Sequence, residues 1–373
     1  MGVIVLHAGM AKTGSSSVQQ WLASNGATLA SERDIHPMRI AQDRPDSAFD
    51  VVPCTESQKV SKLAGVQEPV NDPQLKRAPS SLRDDARQMF DRLDSLAQTR
   101  GTIVLSSEAY QLPFWRGDEM FLAMLDEFAS VHPVRVAYYV RPQHTAMEAA
   151  WRQWGFRVAR PPSMFLDRRM AQYRYFHTLL QIRQLAPHVS FEMRAFRDDL
   201  LEGGDVVADF ATTFLGADAL RFSPAQQRRA NRGIPLDLVI LLREGKDRFW
   251  SWRGDNDALD RLREVVTRWD IPESEQAVRS RRVLQGFCHR HLEPGNRQLI
   301  AELGWDTQCF VPPVDAPGAD GEADYELEEL DELWSSNATE TVRELVFCAL
   351  TELLSSMPPG AEAVPAGAPV KET

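Results

Sequence analysis

Gly2-Val3-Ile4-Val5-Leu6-His7-Ala8-Gly9-Met10-Ala11-Lys12-Thr13-Gly14-Ser15-Ser16-Ser17 starts as a short apolar run and ends in a loop of glycine, lysine and hydroxyl residues. The run from Gly2 to His7 has the length and continuity of a strand buried on both faces. Ser15 to Leu29, with Val18, Trp21 and Leu22 on one face, reads as a helix. A strand entering a helix through such a loop aims the helix's first N–H groups, and the positive end of its dipole, at whatever the loop holds. Glycine lets the backbone approach an anion closely, and successive N–H groups form a nest. Lys12 and the hydroxyls of Thr13, Ser15 and Ser16 add donors. The loop is a candidate anion site. The plain alternative is a tight turn capped by serines, with an exposed lysine.

Outward from this loop, strand-like runs alternate with helical ones. Thr102-Ile103-Val104-Leu105 and Val134 to Val140 are apolar strands, and Val189 to Met193 alternates like one. Ser81 to Gln98, Met120 to Phe128, Gln143 to Trp154 and Met164 to Leu185 carry helical periodicity. The alternation predicts an α/β protein with a mainly parallel sheet flanked by helices. Residues 31–80 are polar, proline-punctuated and weakly periodic, and read as an irregular insertion or a lid. Beyond Leu236 the pattern is helical, over Leu236 to Arg243, Leu259 to Trp269 and Glu275 to Phe287. Residues 1–310 therefore read as one α/β domain whose stretch 236–310 is mostly helical. Residues 311–325 read as a linker, 326–356 as C-terminal helices and 357–373 as a disordered tail.

Composition narrows the function. The chain has 373 residues, 43% hydrophobic and 25% charged, enough for one large core or for a core plus a smaller appendage. No apolar run is long enough to span a bilayer, and the opening residues lack the basic flank of a signal peptide. Cys54, Cys288, Cys309 and Cys348 show no metal-like spacing and read as reduced thiols of a cytoplasmic protein. No ligand cluster points to a metal. The net charge of −11 argues against nucleic-acid binding, so an anionic ligand must be held by local positive groups.

The kind of anion is narrowed by what the loop lacks. A nucleoside triphosphatase loop places glycine directly before the lysine and again five residues earlier; here those positions are Ala11 and Leu6. The stretch Gly9 to Ser17 instead resembles the 5′-phosphosulfate loop of the sulfotransferases that use 3′-phosphoadenosine 5′-phosphosulfate (PAPS), commonly Pro-Lys-Thr-Gly-Thr-Thr. Ala11 stands for the proline, and serines keep the hydroxyls. Four further stretches are similar to that family, chiefly to bacterial and carbohydrate-acting members. Ser106-Ser107-Glu108 follows a strand; Val140-Arg141 ends one; and Met193 to Arg197 with Gly203 to Phe210, then Asn231-Arg232-Gly233, come later. Together they cover about residues 2–245.

The resemblance implies a P-loop-type fold with PAPS as donor and 3′-phosphoadenosine 5′-phosphate, also called 3′,5′-ADP, as product. It assigns the 5′-phosphosulfate to Lys12, Thr13, Gly14, Ser15, Ser16 and Ser17, and the 3′-phosphate to Arg141 and Arg232. It makes Lys12 the stabiliser of the leaving group and Glu108 the candidate general base, with His7 and His144 as rivals. The family's serine eight residues after the arginine is here Ala149. The resemblance implies a small-molecule or carbohydrate acceptor and does not identify it. Arg152, Arg157, Arg160, Arg168, Arg169 and Arg174, interleaved with Trp151, Trp154, Phe156 and Tyr173, could stack on such an acceptor, or form a charged helix face over an aromatic core. An ATP-dependent P-loop kinase and a non-catalytic nucleotide-binding relative are the alternatives.

Overall fold

A computed structural model of the chain describes residues 2–10, 13–41, 50–54, 79–154, 161–218, 236, 239, 274–306, 310 and 326–334. Lys12, Arg232, the linker at 311–325, the tail at 357–373, the helix expected at 259–269 and residues 335–356 of the expected C-terminal helices lie outside the described residues. The chain divides into two compact units. The first comprises Met1–Pro142, Ala171–Ala230 and Pro294–Phe310, and the second Gln143–Met170, Asn231–Glu293 and Val311–Thr373.

In chain order the elements are β1 (Val3–His7), α1 (Ser15–Arg33), β2 (Ile35–Ala41), β3 (Asp50–Pro53), α2 (Pro79–Ala97), β4 (Thr102–Ser106), α3 (Leu112–Arg116), α4 (Glu119–Ala129) and β5 (Val134–Val140). There follow α5 (Gln143–Trp154), α6 (Pro162–Asp167), α7 (Tyr175–Leu185), β6 (Ser190–Ala195), α8 (Val206–Leu215), α9 (Glu275–Leu303) and α10 (Glu329–Leu333).

The first unit is an α/β sandwich around one sheet of order β3-β2-β4-β1-β5-β6. Every neighbouring pair is parallel except the edge pair β2–β3. The strands are apolar on both faces because both are covered. On one side Val5, Val104 and Tyr139 meet Val18, Trp21 and Leu22 of α1 and Phe210 of α8. On the other, Tyr138 packs against Phe114 of α3 and Phe191, and Phe90 of α2 against Phe121 and Phe128 of α4. Removing side chains such as Trp21 and Phe210 from water stabilises by about 1.5–3 kcal/mol each. The connection from β1 leaves through α1 over one face, and that from β4 leaves through α3 and α4 over the other. The carboxyl ends of these two adjacent central strands are therefore a topological switch point, where open α/β sheets bind ligands.

In the second unit Trp151 of α5 stacks on Trp334 at 4.8 Å and meets Phe165 of α6 edge-on. Glu148 accepts hydrogen bonds from Arg152 and Arg281, and Asp331 of α10 from the hydroxyl and N–H of Ser163.

Three expectations need correction. The insertion at 31–80 is not all irregular, because Ile35–Ala41 and Asp50–Pro53 form the antiparallel edge of the sheet. The single helix expected from Met164 to Leu185 is two helices separated by a 3₁₀ turn at Met170–Tyr173, and the break falls where the chain passes between units. The helix starting at Glu275 continues to Leu303 with Pro294 inside it. Among the described residues no helix is long and apolar enough to cross a membrane.

Candidate active site

The chain leaves β1 at His7 but stays with β5 for three more residues. The N–H of Ala8 donates to the Ala137 carbonyl (2.9 Å) and that of Met10 to the Tyr139 carbonyl (3.2 Å). The loop then closes on itself: the Thr13 hydroxyl donates to the Met10 carbonyl at 2.6 Å, and the Thr13 N–H to the same oxygen at 3.2 Å. Thr13 is fully buried, so its one hydroxyl proton serves the loop and only its lone pairs remain for other partners.

Gly14 turns the chain into α1 with φ 76°, in the left-handed region that disfavours a side chain. A Cβ there would also stand 2.6 Å from Val206 Cγ1. As N-cap, Gly14 has no side chain to offer the helix, and the first turn has no acidic residue. The N–H groups of Ser17 and Val18 return to the Gly14 carbonyl at 2.9 and 3.1 Å. Those of Ser15 and Ser16 precede the first helical hydrogen bond and have no carbonyl behind them within the helix. Ser15 is buried and Ser16 exposed, so the helix start runs from the protein interior to its surface.

The strand-end tripeptide Ser106-Ser107-Glu108 is tied to this segment at each of its residues. Ser106 Oγ lies 2.8 Å from His7 Nδ1. The Ser107 N–H donates to the His7 carbonyl at 3.1 Å, and its hydroxyl oxygen caps the 3₁₀ turn Glu108–Gln111 by accepting from the Ala109 N–H. Glu108 Oε1 accepts the hydroxyl of Ser15 at 3.0 Å. The fold thus joins Ser15 and Glu108, 93 residues apart in sequence, at the switch point.

His7 forms the floor of the loop. It is fully buried, with its ring against Tyr139 and Phe210. Burial pushes its pKa down to about 3, so it is neutral at ordinary pH. Its Nε2 has no hydrogen-bond partner among the described residues. A Cβ placed on Gly9 would lie 3.2 Å from that atom and 2.8 Å from Thr13 Oγ1. Only glycine leaves this notch open. An imidazole with one nitrogen engaged by Ser106 and no exposure is a structural support rather than a base within reach of an acceptor.

Arg141 directly follows β5, two residues past the Tyr139 that pairs with Met10, and its carbonyl accepts the Tyr175 hydroxyl at 2.9 Å. His144 is buried and belongs to the second unit. So does Trp151, which is fully buried as a core residue, and Arg169 lies over the Phe165 ring at 4.3 Å.

Sequence reasoning missed a polar cluster behind the loop. Asp209 of α8 is fully buried and accepts from the Tyr139 hydroxyl (2.7 Å), from the Glu202 N–H (3.1 Å) and from both Nε and the terminal nitrogen of Arg194. Burial, reinforced by Asp209, raises the Tyr139 pKa and keeps its proton in place. The available signal was a carboxylate on the apolar stripe Val206-Val207-Asp209-Phe210, which demands a buried partner.

Among the described residues no group of three or more His, Cys, Asp or Glu side chains is placed to hold a metal ion. The site therefore offers uncapped N–H groups, hydroxyls and one carboxylate at a switch point. Compared with protein-family models and with curated proteins, the sequence matches none.

Proposed function

We propose that the chain is a cytoplasmic PAPS-dependent sulfotransferase of P-loop type, transferring a sulfuryl group to an acceptor hydroxyl such as that of a carbohydrate. The observation that carries this reading is the hydrogen bond from Ser15 to Glu108, which sets a carboxylate beside an uncapped helix start at the carboxyl ends of β1 and β4. The chemistry needs donors for the anionic oxygens of a phosphosulfate and, within reach, a group to take a proton from the attacking hydroxyl.

The donor set fits a phosphosulfate. The N–H groups of Ser15 and Ser16 and the hydroxyls of Ser15, Ser16 and Ser17 would hold it, while Thr13 and Gly14 keep the loop in shape. Arg141 and Arg232 would take the 3′-phosphate, for which a planar guanidinium is suited. When the acceptor oxygen bonds to sulfur, the bond from sulfur to the bridging oxygen breaks, and its electron pair stays with the departing 3′,5′-ADP. Lys12 stabilises that charge and Glu108 receives the acceptor's proton. Positioning and electrostatics dominate such loose, in-line transfers.

Two measurements test the reading. Calorimetry should show 3′,5′-ADP binding at least about tenfold tighter than ATP, a gap of about 1.4 kcal/mol. Labelled PAPS should transfer sulfate to some member of a panel of hydroxyl acceptors. Preference for ATP would establish the kinase alternative instead. Tight 3′,5′-ADP binding without transfer would point to a non-catalytic relative, for which Ala149 in the serine position is the motive.

A further inference from the structure

The hydroxyl that the proposed donor site needs is the same one that Glu108 already uses. A serine hydroxyl carries a single proton and can give it to one acceptor at a time. Ser15 gives it to Glu108 Oε1 at 3.0 Å, and Ser15 is almost wholly buried, which leaves its rotor few other directions. The first turn of α1 has no acidic residue of its own, so Glu108, reaching in from the end of β4, supplies the negative charge that a helix start attracts. A phosphate or sulfate at the same N–H groups competes with that carboxylate for the same proton and the same dipole.

We infer that Glu108 is an intramolecular latch on the anion site, and that arrival of the sulfuryl donor transfers the Ser15 hydrogen bond from Glu108 to the phosphosulfate and thereby frees the base. This deepens and rests on the sulfotransferase reading. The carboxylate is restrained by a hydrogen bond until the donor is in place and is then pushed toward the acceptor by the like charge beside it. The proton that Ser15 exchanges never leaves its oxygen; only its acceptor changes. The consequence is an order of events: the sulfuryl donor binds first, and only then can the acceptor hydroxyl meet a free carboxylate. Ser106 and Ser107, the residues before Glu108, are both hydrogen-bonded to His7, so the exchange asks only the Glu108 side chain to turn.

The test is the affinity of 3′,5′-ADP for the full chain, measured by calorimetry at fixed salt. Wild type is compared with Glu108→Gln, Glu108→Ala, Ser15→Ala and the Ser15→Ala/Glu108→Gln pair, with thermal unfolding confirming that each is folded. Removing a competing charge-assisted hydrogen bond should tighten binding roughly three- to thirtyfold in Glu108→Ala, and by less in Glu108→Gln, whose amide can still accept from Ser15. Ser15→Ala alone should bind more weakly than wild type, and in its background the gain from Glu108→Gln should shrink by more than half. Affinity unchanged or weakened in both Glu108 variants overturns the latch, as does a gain undiminished without Ser15, which would mean mere long-range repulsion. A wild-type chain that fails to bind 3′,5′-ADP at all overturns the sulfotransferase reading itself, so the two failures are distinct.

Discussion

Helices α1 and α8 lie against each other on one face of the sheet, yet they begin in opposite ways. The start of α8 is closed from within: Asp205 accepts from the N–H groups of Val207 and Ala208 at 2.8 and 3.0 Å, and Asp209 follows in the first turn. The start of α1 is left open, with a left-handed glycine as cap and no acid in its first turn. The residue buried beneath each start differs too. Under α8 it is a carboxylate bonded by Arg194 and the Tyr139 hydroxyl; under α1 it is a neutral histidine with one nitrogen engaged. On the proposed reading, the end of α1 is left open for an anion, whereas α8 closes its own end with an aspartate. Damage at α1 should therefore appear as lost binding or turnover, and damage at α8 as lost stability.

The largest separation is expected from Lys12→Ala. Loss of one donor aimed at charge that develops in the transition state costs about 2.7–4 kcal/mol, so turnover at saturating PAPS should fall by roughly two to three orders of magnitude with the unfolding midpoint unchanged. Wild-type turnover would break the assignment of α1 as the chemical end. The counterpart at α8 is Asp209→Ala, which strands Arg194 and the Tyr139 hydroxyl. Breaking a buried pair costs about 3–5 kcal/mol, and because Arg194 is about a third exposed and can turn toward water, the lower figure applies. Denaturant unfolding should register it, with 3′,5′-ADP affinity little changed in the folded fraction.

The open helix start was legible because its signal is local and chemical: two glycines, a lysine and hydroxyls set between an apolar strand and a helix. The strands β1, β4 and β5 were legible for a related reason, being short, continuous and buried on both faces. β2 was not, because Pro37 interrupts it and a proline normally argues against an inner strand. Its register explains the exception. The Pro37 carbonyl accepts from the Cys54 N–H, so the missing N–H would also face the β3 side, where strand pairing begins only at Met38. The helix from Glu275 runs past the expected end at Phe287 to Leu303 although Pro294, an ordinary helix breaker, lies inside it. The ties from Ser106 to His7 and from Glu108 to Ser15 join residues 99 and 93 positions apart, and no periodicity in one sequence encodes a pairing of that span.

Two smaller effects sharpen the contrast at α1 itself. His7 has its pKa lowered from 6.5 to about 3, so below pH 6.5 the unfolded chain binds a proton that the folded chain refuses. Its contribution to stability is whole above pH 6.5 and declines as pH falls toward 3, at up to about 1.4 kcal/mol per unit, or about 2 kcal/mol by pH 5. Denaturant titrations across that window should show a shallower slope in His7→Gln than in wild type; equal slopes would mean that His7 is not the buried neutral floor described. Gly14→Ala should cost about 1–3 kcal/mol, since a left-handed alanine is strained and its methyl meets Val206. Because it displaces the opening of α1, it should weaken 3′,5′-ADP binding as well.

The smallest effect is the most discriminating. Asp205→Ala removes the side-chain cap of α8 and leaves the Val207 and Ala208 N–H groups to water, a loss of about 1 kcal/mol. Val206, which follows the cap, abuts Gly14 beside Phe196, so a collapse of the start of α8 would reach the open end of α1 through Val206. If the two helix ends are independent in function, unfolding midpoints fall slightly while 3′,5′-ADP affinity and turnover hold. If affinity falls with stability, Val206 transmits the disorder, and the closed end of α8 is the buttress that keeps the open end of α1 in shape. In that case Asp205→Asn, which retains a capping oxygen, should restore both together.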